Sequence, residues 1–145
     1  MSYAAGTSVP VERSKAEIEK LLRSRGASRY GVVSKEDEGR AFVGFTLDGA
    51  SFRFEVPLPT LREATAKPRR RLPPGKLREQ MMRERWRAVV LLIKAKLEMV
   101  ALGMSSVEQQ FFSDMILPSG RTTRETMADL IRRGLADDAP PQLPG

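Results

Sequence analysis

The chain has 145 residues, 41% of them hydrophobic, which suits a single domain with a modest core. It contains neither Cys nor His, which excludes disulfides, thiolate nucleophiles, imidazole metal ligands and Ser-His-Asp or Cys-His catalysis. The net charge is +7, yet Arg62–Lys96 alone holds twelve Lys/Arg against three Glu, so the remainder sums to about −2.

Residues 1–11 lack periodicity and are expected as a flexible tail. Ser14 and Glu17 have the spacing of a capping box, predicting a helix over 15–25 with Ile18, Leu21 and Leu22 as its apolar stripe. Gly26 supplies a left-handed stop. Tyr30–Val33 predicts a strand, followed by an acidic loop from Lys35 to Gly39 and a hairpin closed at Asp48-Gly49. That dipeptide favours a type I′ turn, which needs two residues at positive φ. A two-residue turn sets Leu47 opposite Ala50, Phe45 opposite Phe52, Val43 opposite Phe54 and Ala41 opposite Val56, all on one face. The other face reads Thr46/Ser51, Gly44/Arg53 and Phe42/Glu55. A meander with one apolar face requires a helix across it.

Pro57 and Pro59 end the sheet, and residues 60–76 read as an exposed basic, Pro-rich linker inside the domain. Met82, Trp86, Val89, Val90, Ile93, Leu97 and Val100 then recur at helical spacing, predicting a long helix closed by Gly103 that covers the sheet. Ser105 with Glu108 and Thr122 with Glu125 give two more capping boxes. The first predicts a short helix to about Met115 with Phe111, Phe112 and Met115 inward, the second a helix carrying Met127, Leu130 and Ile131 to Gly134. Residues 135–145, acidic and then Pro-rich, are expected to be disordered. The expected architecture is α+β: a three-stranded antiparallel meander packed by a long helix, with an N-terminal helix and two short C-terminal helices, in one domain over 12–134.

Several blocks resemble a family of small uncharacterised proteins of tailed phages and prophages. They are Arg13-Ser14-Lys15-Ala16-Glu17-Ile18-Glu19, the strand segments Arg40 to Phe45 and Phe54 to Pro59, the helix Arg85-Trp86-Arg87-Ala88-Val89-Val90 onward to Glu98, and Phe112 to Thr122. The resemblance implies a phage-encoded protein acting in the cytoplasm of a bacterial host, and carries no activity or site residues with it. The architecture is also similar, at the level of fold only, to single-stranded-DNA-binding folds made of a curved sheet and a helix.

Charge concentrated in the middle of the chain calls for an anionic partner, because self-repulsion opposes folding until something relieves it. Arg outnumbers Lys there, and guanidinium forks match phosphate oxygens. Arg69, Arg70, Arg71, Lys76 and Arg78 are therefore candidate phosphate contacts, with Arg40, Phe42 and Arg53 as a second candidate surface on the polar face of the sheet. Asp48, Glu55 and Asp114 are the acids a nuclease would need, each with a simpler role in a turn or ion pair. Ser119-Gly120-Arg121 is too short for a phosphate loop. The expectation is a non-catalytic nucleic-acid-binding protein, with single-stranded DNA the first candidate, accessory to replication or recombination, with no cofactor, no metal and no membrane partner. The alternatives are a protein that binds and inhibits or recruits a host protein, and a sponge for an anionic nucleotide signal. A homodimer is a further expectation, since a three-stranded sheet has two open edges.

Overall fold

Asp48 and Gly49 both adopt positive φ, +51° and +78°, as the type I′ turn requires. The computed structural model describes residues 4–66, 69, 72–135 and 143–144. The turn joins β2 (Arg40–Leu47) to β3 (Ala50–Pro57) in the register expected from it, from Leu47–Ala50 through Ala41–Val56. β1 (Ser28–Lys35) pairs antiparallel on the other side of β2, giving the order β1-β2-β3. Ala41, Val43, Phe45 and Leu47 are all buried, and the intervening residues of β2 are half exposed.

α1 (Val11–Ser24) and α3 (Pro74–Ala101) cover the buried face. Ile18 and Leu22 of α1 and Trp86, Val90, Ile93 and Leu97 of α3 join the inward residues of the sheet in one core. Phe45 stacks on Phe52 with centroids 5.2 Å apart, and Phe111 meets Phe45 edge-on at 5.3 Å. Such aromatic pairs add about 0.5–1.5 kcal/mol each beyond burial. Trp86 is 1% exposed, so it belongs to this core and offers no platform for a base.

Several local expectations change. α1 begins at Val11 with Pro10 as its N-cap, so Ser14 lies inside the helix and caps nothing. Ser14 recurs with Ile18 and Leu22 at intervals of four, is fully buried, and its Oγ has no partner. Residues 4–10 are no loose tail: Ala4 is buried, the Gly6 N–H donates to Glu84 at 3.0 Å, and Gln80 donates to the Thr7 carbonyl at 2.8 Å. The expected linker begins instead with α2 (Leu61–Ala66), whose Glu63 N–H is capped by Thr60 Oγ1 at 3.0 Å. Ala64 of α2 packs with Leu77 and Met81 in a small second core. Lys67, Pro68, Arg70 and Arg71 lie outside the described residues.

Toward the C-terminus, α4 (Val107–Gln110) is capped by Ser106 with Gln109, one residue later than expected, and gives way at once to a 3-10 turn over Phe112–Asp114. Phe111 is buried but Phe112 is 47% exposed, because a single helical turn does not bring both rings inward. Met115 and Ile116 make short antiparallel contacts with the β3 edge and with Thr122. α5 (Thr123–Leu130) is capped by Thr122 through the Glu125 N–H, as its sequence predicts. Its Met127 is 48% exposed, and Ile131 just beyond it 56%, so of the expected inward stripe only Leu130 is partly buried. Gly134 supplies the expected left-handed stop at φ +81°. Of the C-terminal tail, residues 136–142 and 145 lie outside the described residues.

Ser14→Ala removes an unsatisfied buried hydroxyl and inserts a better helix former. The variant is expected to be more stable by about 1 kcal/mol in urea denaturation. A loss of stability would reveal a partner for that hydroxyl.

Candidate functional site

Several cations of the basic stretch are engaged within the protein, three of them by the stretch's own Glu63, Glu79 and Glu84 and two by Glu17 and Glu36 from outside it. Both terminal nitrogens of Arg69 donate to Glu84, at 2.8 and 2.7 Å, in the bidentate geometry of a strong pair. Arg85 reaches Glu63 at 2.6 Å, Arg87 reaches Glu17 at 2.6 Å, Lys76 lies 3.6 Å from Glu79, and Arg78 donates to the Pro59 carbonyl at 3.1 Å. Of the first candidate group, Arg69, Lys76 and Arg78 are therefore engaged within the protein, while Arg70 and Arg71 lie outside the described residues. Glu84 also accepts from Gly6 and Gln80. The Arg69 guanidinium, aided by those donors, holds the Glu84 carboxyl down at about 2.

The second candidate group is brought together on the outer face of the sheet, as the hairpin register dictates. The Arg40 guanidinium lies 5.2 Å from the Phe42 ring centroid and donates to Glu38 at 2.9 Å and Glu55 at 3.3 Å. Arg53 donates to Glu125 of α5 at 3.0 Å and to the Gly120 carbonyl at 3.3 Å. The Arg53 bond, helped by Thr122, lowers the Glu125 carboxyl below its usual range. Phe42 is half buried, at the junction of two depressions. The smaller, about 120 Å³, sets Arg40, Arg53 and Arg124 against Glu55, Asp114 and Glu125 and is charge-balanced. Burial raises the Asp114 carboxyl, with Arg124 at 3.3 Å opposing that shift.

The larger depression is an apolar groove of about 330 Å³ running across the strands. Its floor is the cross-strand pair Gly31–Gly44, its walls are Phe42, Val33 and Ile116, and Arg29 and Arg53 stand at its sides. Thr46 and Ser51, hydrogen-bonded to each other at 3.1 Å, line it as well. Neither glycine is there for its backbone, since neither has positive φ. A Cβ at Gly31 would meet nothing within 4 Å, and one at Gly44 would make only ordinary contact. Strands favour branched and aromatic side chains, so two glycines paired across the ladder leave room where packing would fill it.

Arg29 adds a second unusual feature. The β1–β2 register shifts between Ser28 and Gly31, and Arg29 within that bulge has φ +53°, a strained conformation for a non-glycine residue. The bulge turns Arg29 onto the groove. Among the described residues, Arg29 and Lys35 of β1 have no carboxylate partner, nor have Arg13, Lys20, Arg25, Arg62 and Lys94. The sequence offers Arg29 only as a neighbour of Phe42 on the polar face of the sheet, and does not offer Gly31 or Lys35 as site residues. Extending the hairpin register to β1 sets Gly31 beside Gly44, but nothing in the sequence announces the bulge. No helix among the described residues is long and apolar enough to cross a membrane. Nor is there, among the described residues, a group of three or more Asp or Glu placed so that it could hold a metal ion.

Glu84→Gln is expected to cost about 1 kcal/mol at neutral pH, measured by urea denaturation. The folded-state carboxyl lies below its ordinary 4.5, so its contribution is full above about 4.5 and is lost as pH falls towards 2. Wild type and variant should therefore converge in acid; a gap independent of pH would show that the carboxylate charge is not what stabilises.

No family model, no curated protein and no solved structure matches the chain.

Proposed function

We propose that this protein is a non-catalytic binder of single-stranded nucleic acid, with DNA the first candidate, which lays bases across the outer face of its sheet. In the phage setting that the sequence resemblance implies, it would be accessory to replication or recombination. The observation that carries the reading is the glycine-floored groove, with Phe42 as a wall and the bulge-borne Arg29 at its side. An unpaired base offers a flat apolar face for such a groove and polar edges for the Thr46 and Ser51 hydroxyls, whereas stacked bases in a duplex do not. Arg29 and Lys35, unpaired along β1, are available to phosphates without breaking an internal ion pair. Arg40 and Arg53 would instead orient Phe42 and the groove wall through their bonds to Glu38, Glu55 and Glu125. The unpaired cations lie on several elements rather than in one compact pocket, which favours a strand over a single anionic nucleotide.

The rival reading, an interaction protein with a host protein as target, is favoured by the exposed apolar side chains Phe112, Met127 and Ile131. Capture of a partner from nuclease-treated lysate that is lost in Met127→Ser/Ile131→Ser would support it.

Fluorescence anisotropy with a labelled oligonucleotide tests the main reading, with an abasic strand as reference. Phe42→Ala should lower affinity for the base-bearing strand by about 5- to 150-fold, the loss of one stacked base. Gly31→Val should do the same while leaving the fold at least as stable, since its backbone accepts a side chain and the space is open. Unchanged affinity in a stable Gly31→Val variant would rule out the groove.

A further inference from the structure

On α1, Arg13, Glu17, Lys20 and Ser24 fall on one side by helical spacing and line a shallow trough of about 530 Å³. On α3, Arg83, Arg87 and Lys94 form a similar stripe, and the Arg87–Glu17 bond of 2.6 Å brings the two stripes together along the seam between the helices. Arg13, Lys20 and Lys94 are exposed and have no carboxylate partner among the described residues, while Arg83 is held only by the Gln80 amide oxygen. Three cations, Arg87, Lys94 and Arg13, thus act on the Glu17 carboxylate, Lys20 lines the same trough, and Arg83 continues the α3 stripe. Glu17 registers them: Arg87 first, then Lys94 and Arg13, hold its carboxyl below the ordinary range. No aromatic side chain lines the trough, so it offers charge without a surface for stacking.

We propose that this α1–α3 seam is a second binding surface, which holds the phosphate chain of a nucleic acid irrespective of its bases. Single-stranded and duplex backbones present the same chemistry to such a stripe, and sequence has no part in it. The helices cover the inner face of the sheet, so the seam and the groove lie on opposite sides of the molecule. With both occupied, one molecule holds two nucleic-acid segments at once. That consequence rests on the groove reading; the seam itself does not.

Inorganic polyphosphate, a phosphate chain without bases, is the probe for the full-length protein. Wild type should bind it, with affinity falling about 50-fold between 50 and 200 mM salt for about four ion contacts. Arg13→Ala/Lys20→Ala/Lys94→Ala removes three exposed, unpaired side chains, should melt like wild type, and should weaken binding at least tenfold. An oligonucleotide fixed to beads should retain a second, non-complementary labelled strand only when wild-type protein is present. The triple variant should still bind the fixed strand but fail to retain the second, a result that pairing of two protein copies would not give. Absence of polyphosphate binding, or a triple variant indistinguishable from wild type, overturns the seam, and transfer of the seam's role to an acidic protein would appear as the first of these. Polyphosphate binding lost in the triple variant, together with Phe42→Ala and Gly31→Val binding base-bearing and abasic strands as wild type does, sinks the groove and supports the seam.

Discussion

The turn at Asp48-Gly49 decides which side of the sheet every residue of the hairpin occupies. Successive side chains on a strand point to opposite faces, so a slip of one residue would send Phe42, Gly44 and Arg53 into the core and Val43, Phe45 and Phe54 into water. Two positive φ values in adjacent residues forbid that slip. Both the core beneath α1 and α3 and the groove on the outer face descend from this one register. The core is the stronger of the two commitments, because Phe45, Phe52 and Phe111 interlock and admit no shift.

The fold then distributes a large positive charge. Among the described residues, several arginines of the basic stretch meet a carboxylate from another element: Arg69 meets Glu84, Arg85 meets Glu63 and Arg87 meets Glu17. These pairs connect α2, α3 and α1, and Glu84 also secures the N-terminal residues 4–10 through Gly6. Because the pairs are partly exposed, each adds only modestly to stability, but together they select the orientation of three helices. Among the described residues, the cations left over include Arg29 and Lys35 on the sheet and Arg13, Lys20 and Lys94 along the α1–α3 seam.

The two faces differ in what they can recognise. The outer face combines an aromatic wall, a glycine floor, paired hydroxyls and a strained arginine, groups that can meet a flat ring and its edges. The seam has charge alone. Backbone strain at Arg29, open space above Gly31 and the missing side chain at Gly44 are local departures from what a stable strand prefers, and departures of that kind gather at binding sites.

The sequence by itself determined the α+β class, the register of the β2–β3 hairpin, the long Trp86 helix, the Thr122 cap and the outward placement of Phe42, Arg40 and Arg53, because these follow from turn geometry and from periods of 2 and 3.6 residues. It misplaced the start of α1 because Ser14 and Glu17 fit a capping box locally, while packing against α3 takes Ser14 inside and pairs Glu17 with Arg87. It took residues 60–76 for an open linker because proline and charge dominate there, although Thr60 and Glu63 carry a helix-start signal and Ala64 has a core to enter. Only the tertiary structure decided which cations are free, since Glu84, Glu63 and Glu17 lie up to 70 residues from the arginines they neutralise. Ion pairing depends on distance in space, and no local spacing in the chain encodes that.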